Sequence, residues 1–202
     1  ILYGTNAMGG VINIITKKQV SNGIHGNARV SYGSENTQKY MGSVGFKKDK
    51  FSAFVSANHD QTDGHRPHSD FKITNGYTKL GFSFNEHFNA TADFSLAAYE
   101  AADPGPDTIN AKPGERIDIT RGYGAFTLQN EYEKASGSLK LFYNFGEHDI
   151  TDGFHLTDNN YGVNFYESLH LFEGNTITGG IDYLNYGGMA ENVKAMGGKG
   201  IV

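Results

Sequence analysis

The feature that most constrains this chain is a long alternation of apolar and polar side chains. From Phe88 to Tyr99 the even-numbered positions are all apolar and the odd-numbered positions are mostly polar. Successive side chains of a β-strand point to opposite faces, so this pattern predicts a strand with one apolar and one polar face. The segment Ser138 to Gly146 repeats it, with Phe142 interrupting the polar side.

Similar runs recur along the chain and predict about nine strands. Many are about ten to twelve residues long, whereas a typical strand has about five or six. That greater length fits a tilted membrane crossing. The predicted strands cover residues 24–33, 38–47, 51–60, 77–85, 88–99, 122–132, 138–146, 161–172 and 176–186.

Composition supports an all-β chain and excludes several classes of protein. The 202 residues include 27 Gly, 12 Tyr and 14 Phe but no Cys, so neither disulfides nor thiolate zinc sites are available. A net charge of −5 argues against a nucleic-acid partner. No apolar run is long enough for a transmembrane helix, which leaves a transmembrane barrel open. No GxSxG, P-loop or HExxH motif is present, so we do not expect an enzyme.

The predicted connections alternate between short and long. In an up-and-down sheet successive connections fall at opposite ends, so the short turns share one end and the long loops the other. Outer-membrane barrels have this arrangement. The short connections are 48–50, 85–87, 133–136 and 173–175, and the long ones are 61–75, 101–121, 149–160 and the residues from 187 onward. A tight turn at 33–36 is the exception at the long-loop end.

The chain opens with LYGTNAMGGVINIITKK, in which a small-residue turn leads directly into a short apolar strand. This stretch resembles the end of the plug domain of TonB-dependent outer-membrane receptors. The matching positions include Tyr3, Gly4, Ala7, Gly9, Gly10 and Asn13. The later stretch TDGHRPHSDFKITNGYTKLGFSFNEHF more loosely resembles receptors of Bacteroidetes-like bacteria that take up iron complexes or cobalamin.

The resemblance implies a transmembrane, up-and-down antiparallel β-barrel that follows the last strand of a plug domain. Residues 1–20 would be the end of the plug, and residues 21–202 would be about nine strands of a roughly 22-stranded barrel. It further implies a fragment that lacks the N-terminal box for TonB. The expected partners are TonB, outer-membrane lipid and a small-molecule metal complex, with a surface lipoprotein as a further candidate.

The implied function is TonB-dependent import of siderophore-bound iron, haem or cobalamin across a bacterial outer membrane, with long extracellular loops that bind ligand. A non-transporting surface protein, either an adhesin or a passive porin-like channel, is the alternative. No resident cofactor is expected, although the transported ligand would contain iron or cobalt. The candidate ligand contacts are His65, Arg66, His68, Asp70, Tyr99, Asp103, Asp107, Arg116, Asp152 and His155.

Three interpretations of these loop residues stay open. The imidazoles of His65, His68 and His155 could ligate haem iron or another metal. The Asp residues could hold Ca²⁺, which takes several carboxylate oxygens. Alternatively, most of the group are solvated residues that tune the electrostatic field at the mouth of the barrel. No metal ligand is assigned on the sequence alone.

Overall fold

A computed structural model describes residues 21–106 and 114–192, which form nine β-strands. The strands are between 10 and 19 residues long. They are β1 Gly23–Tyr32, β2 Gln38–Lys48, β3 Phe51–Thr62, β4 Phe71–Ser83, β5 Phe88–Ala102, β6 Arg116–Glu131, β7 Ala135–Ile150, β8 Phe154–Phe172 and β9 Asn175–Asn192.

The strands form one sheet in the order β1-β2-β3-β4-β5-β6-β7-β8-β9. Every neighbouring pair is antiparallel, so the predicted all-β, up-and-down architecture is confirmed. The described residues contain no helix long and apolar enough to cross a membrane. The plug-like residues 1–20, with Tyr3, Gly4, Ala7, Gly9, Gly10 and Asn13, lie outside the described residues.

Cross-strand register extends the alternation of β5 over the whole sheet. Phe94 is paired with Thr78 and Gly124, and its neighbour Ser95 is paired with Tyr77 and Tyr123. Directly paired residues project from the same side of a sheet, so each residue of β5 marks a row that crosses all its neighbours. The side that carries Phe94 is called here the apolar face, and the side that carries Ser95 the polar face.

The apolar face carries large side chains that are well exposed. Ten of these side chains, spread over seven strands, have relative exposures between 41% and 54%. They are Val44, Val55, Leu80, Phe82, Phe94, Leu96, Phe126, Leu141, Tyr143 and Phe165. Their rows form a continuous strip that we call the apolar band.

The polar face is more enclosed than the apolar band. Tyr77, Ser95, Tyr123, Asn144 and Asn160 lie in one row of it and are all partly buried. Only Ala90 and Ile119 are buried apolar residues in the described part of the chain, so the sheet has no ordinary hydrophobic core.

Short connections occupy one end of the sheet, the turn end, as predicted. They span residues 49–50, 84–87, 132–134 and 173–174. Gly174 has a φ of 78° in the last of them, a conformation that glycine adopts without steric cost. Asp49 has a φ of 52° in the first, and Asp is among the residues that tolerate this region best.

Connections at the opposite end, the loop end, span residues 33–37, 63–70, 103–115 and 151–153. The last three are shorter than predicted. The predicted tight turn near residues 33–36 is confirmed by a hydrogen bond from Gly33 N to Thr37 O of 2.8 Å.

The prediction of a long loop over residues 149–160 is wrong. Most of this segment belongs to β7 and β8, and only residues 151–153 form the turn. The predicted start of β4 at Tyr77 is also late, because the strand begins at Phe71. The charged residues that indicated a loop instead pair across strands, as His155 does with Asp149. Cross-strand partners satisfy these side chains, so their polarity does not end the strands.

Glu167 places a carboxylate on the apolar face, at the margin of that face. Glu167 faces Gly137 on β7 and Gly179 on β9, near the turn end, and accepts a hydrogen bond of 2.8 Å from Asn130 Nδ2. A side chain at Gly137 would collide with this carboxylate. The register is regular here, since the irregularity of the β8 and β9 pair lies further on, between His170 and Phe172.

Candidate functional site

The loop end gathers several of the predicted ligand-binding residues around one ion pair. Arg116, the first residue of β6, donates to both carboxylate oxygens of Asp70, at 3.2 Å and 2.8 Å. The hydrogen bonds from Arg116 lower the pKa of Asp70 below its ordinary value. The pair therefore joins the start of β6 to the end of the loop before β4.

A second contact joins the two longest connections at this end. Arg66 donates a hydrogen bond of 3.0 Å to the carbonyl of Gly105. Asp103 accepts one of 2.8 Å from the amide of Gly105, which orders the start of the second loop. Arg66 and Asp103 therefore hold loop backbone, while His65 and His68 are exposed in the first loop. Asp107 lies outside the described residues.

The remaining predicted residues are distributed over both sides of the sheet. Tyr99 lies on the polar face in β5, and its ring is 6.1 Å from that of Phe71. Asp152 lies in the turn before β8, where its carboxylate accepts a hydrogen bond of 2.7 Å from Phe154 N. His155 lies on the same side as the apolar band, beyond its loop-end margin.

The structure does not bring His155 together with His65 and His68. The two loop histidines lie between β3 and β4, and three further strands separate β4 from β8 in the sheet. At about 4.8 Å per strand, the separation within the sheet is far greater than a shared metal ion could bridge. The three imidazoles therefore do not form one site in this sheet.

His155 instead lies beside two carboxylates that were not predicted to accompany it as a group. Glu147, Asp149 and His155 place one potential ligand atom each within 4.8 Å of one another. Glu147 and Asp149 are two apart in β7 and share a face, and His155 is paired with Asp149. Their alternation is a sequence signal, but alternation places side chains on one face only in a strand, and the sequence pattern predicts a loop here.

A charged network on the polar face was also missed. Arg121 on β6 donates to both oxygens of Asp158 on β8, at 2.8 Å and 2.7 Å, and its Nη2 lies 2.7 Å from His148 Nε2. The guanidinium crosses β7 at Gly146, where a side chain would collide with it. The sequence pattern predicts loops at both Arg121 and Asp158, so it does not place the two residues in register.

Comparison with protein-family models gives no match, and comparison with curated proteins gives no significant match. The geometry itself defines the class of this protein, which is an all-β protein with one antiparallel, up-and-down sheet and one exposed apolar face.

Proposed function

We propose that this chain forms part of the wall of a β-barrel in a bacterial outer membrane. The observation that carries the proposal is the exposed apolar band, whose ten large side chains have exposures between 41% and 54%. Water opposes the exposure of so much contiguous apolar surface, whereas lipid acyl chains would cover it at little cost. The polar face would line the interior.

Strand length supports the same proposal. A transmembrane strand needs about 9–11 residues at a tilt near 45°, and β1 to β9 contain between 10 and 19. Rows of the apolar band are two residues apart, so the four rows through Ala90, Ala92, Phe94 and Leu96 span about 20 Å along a strand. When the size of the outermost side chains is added, the height of the band is close to the roughly 25 Å apolar height of outer-membrane barrels.

We further propose that the protein is a TonB-dependent receptor that imports a scarce metal complex. Support comes from the resemblance of residues 1–20 to a plug exit and from the sheet that follows them. The outer membrane has no ATP supply, so TonB would transmit energy from the inner membrane to open the plug. Siderophore-bound iron, haem and cobalamin are the ligand classes that the resemblance implies.

The exposed loop histidines are the residues most available for ligand in this proposal. His65 and His68 lie in the connection at 63–70, and neither takes part in the hydrogen bonds from Arg66 and Arg116 that join the loops. Arg66 and Arg116 are engaged with loop partners, so they would shape the mouth of the barrel. In many proteins, loops bind the ligand and a rigid scaffold holds those loops in position.

Uptake measurements in cells test the transport proposal. Cells that carry the full-length gene are supplied with ferric siderophore, haem or cobalamin, with TonB present or deleted. Accumulation of one ligand that requires both the gene and TonB is expected. The variant with both His65→Ala and His68→Ala should lower ligand affinity without lowering receptor abundance.

A matched control for this variant is His25→Ala, which removes an exposed histidine at the turn end. Gene-dependent accumulation that does not depend on TonB would support a passive channel instead. Surface abundance without any accumulation would support a non-transporting surface protein.

A further inference from the structure

A carboxylate interrupts the apolar face near the turn end of the sheet. Glu167 lies in the row that runs from Phe88 on β5 to Gly179 on β9. This row is next to that of Ala90, about 7 Å from it along the strands and closer to the turn end. A charged group on a lipid-facing surface is costly unless a partner neutralises it.

The chain gives Glu167 one neutral partner and leaves the rest of its carboxylate available. Oε1 accepts a hydrogen bond of 2.8 Å from Asn130 Nδ2, and Oε2 occupies the space that a side chain at Gly137 would fill. Among the residues that the structure describes, no lysine, arginine or histidine forms an ion pair with Glu167. An ionised carboxylate has about four acceptor positions, so one hydrogen bond leaves capacity for a cationic donor.

Exposed apolar side chains flank this carboxylate in both directions along the strands. Phe165 and Ile181 lie in the next row towards the apolar band, and Leu169 and Ile177 lie in the next row towards the turn end. The relative exposures of these four side chains are between 42% and 72%. The surface therefore combines one negative group with surrounding apolar contacts, which suits an amphipathic molecule that carries a positive group.

Aromatic side chains lie at the same level of the sheet. Phe88, in the row of Glu167, packs edge-on against Tyr132 with a distance of 5.8 Å between ring centroids. Tyr132 also stacks on His87, with centroids 4.3 Å apart, and is itself exposed. Such rings collect where lipid headgroups meet the acyl chains. In a barrel wall, Glu167 would therefore lie at the depth of the headgroups.

We propose that Glu167 binds the ammonium group of phosphatidylethanolamine in the leaflet at the turn end. The ammonium supplies a positive charge and three donor hydrogens, while the acyl chains cover the flanking apolar side chains. A choline headgroup carries the charge but no N–H donor, and an anionic headgroup would be repelled. This inference rests on the proposed position of the sheet in a membrane wall, but not on TonB or on transport.

Native mass spectrometry of the folded full-length protein in nonionic detergent tests the site. The protein is titrated with phosphatidylethanolamine, its N-methyl and N,N-dimethyl derivatives and phosphatidylcholine, all with the same acyl chains. Saturable binding should be strongest for phosphatidylethanolamine and should weaken with each methyl group, because each methyl group removes a donor hydrogen. Phosphatidylcholine should bind at least about threefold more weakly.

Glu167→Gln removes the charge while keeping the length of the side chain and an acceptor for Asn130. The preference for phosphatidylethanolamine over phosphatidylcholine should disappear in this variant. Glu173→Gln is the matched control, because it removes the same charge from an exposed position in the turn of the same hairpin. This control should keep the preference of the unmodified protein. Folding of each variant is verified by its heat-dependent mobility in gels.

Three outcomes would overturn the proposal. One is equal binding of phosphatidylethanolamine and phosphatidylcholine by the unmodified protein. Another is a preference that Glu167→Gln leaves unchanged. The third is an equal loss of preference in Glu167→Gln and Glu173→Gln, which would assign the preference to the overall charge of the turn end.

These outcomes are separable from failure of the proposed function. Insertion of the protein into phosphatidylcholine vesicles, together with no headgroup preference, would retain the membrane-wall proposal and remove the lipid site at Glu167. Failure to insert into vesicles of either lipid would remove both. The uptake experiment tests transport separately from either result.

Discussion

Phe94 and Ser95 are adjacent in β5, yet they lie on faces with opposite environments. Phe94 belongs to the apolar band and is 51% exposed, whereas Ser95 lies on the polar face and is partly buried. In a protein that folds in water the apolar side would be the enclosed one. This inversion indicates that the surrounding solvent, more than internal packing, distinguishes the two sides of this sheet.

An arginine introduced on each face in turn should distinguish the two faces most strongly. Phe94→Arg should destabilise the lipid-inserted protein by about 2–4 kcal/mol, the cost of a basic residue at the bilayer midplane. Ser95→Arg, one residue away on the polar face, should cost less than about 1 kcal/mol when its guanidinium remains solvated. Equilibrium unfolding by urea in lipid vesicles measures both.

The comparison would fail if the two arginine variants lost equal stability. In that case the apolar band would not contact lipid. Loss from Ser95→Arg alone would indicate that the polar face is the tightly packed side.

The faces also differ in how far their residues could be predicted from sequence. Alternation was sufficient to place Phe94 and Leu141 on one side, because solvent selects polarity residue by residue along a strand. It also placed Tyr99 on the polar face. Strand ends were less predictable, since Asp149 and His155 carry loop-like polarity but are paired within strands.

Contacts between strands could not be predicted at all. The pairing of Arg121 with Asp158 depends on the register of β6, β7 and β8, which fixes Gly146 between them. The same holds for Arg66 and Gly105, which are 39 residues apart and meet through two loops. Sequence pattern predicts which face a residue occupies, but register and loop conformation decide which residues it contacts.

A second, smaller effect tests whether specific pairs organise the polar face. Gly146→Ala would place a Cβ against the Arg121 guanidinium and displace it from Asp158. We expect a loss of about 1 kcal/mol, since the pair is bidentate but partly exposed. The measurement is urea unfolding of Gly146→Ala in the unmodified background and in Arg121→Gln.

Coupling between the two substitutions is the informative quantity. If Gly146→Ala acts through the ion pair, its cost should largely disappear when Arg121 is already replaced. A cost that is unchanged by Arg121→Gln would assign it to the backbone of β7. Gly42→Ala is the control, because a Cβ at that position meets nothing within 4 Å.

The smallest effect concerns the loop end, where the ion pair of Asp70 and Arg116 lies beyond the apolar band. Hydrogen bonds from Arg116 lower the pKa of Asp70 in the folded protein. A carboxyl group with a lowered folded pKa contributes stability above its unfolded pKa, and this contribution is lost as the pH falls through the folded pKa. The contact should therefore weaken below about pH 4, towards the lowered pKa.

Arg116→Met removes the partner while keeping most of the aliphatic length of the side chain. At neutral pH it should lower stability by less than about 1 kcal/mol, because both groups of the pair are well exposed. Hydrogen exchange of the amide of Ala102, which bonds to the carbonyl of Asp70, reports on this contact locally. Protection at Ala102 should fall on acidification in the unmodified protein and be already reduced, with little pH dependence, in Arg116→Met. If both proteins showed the same pH dependence, Asp70 would not be the group whose titration weakens this contact.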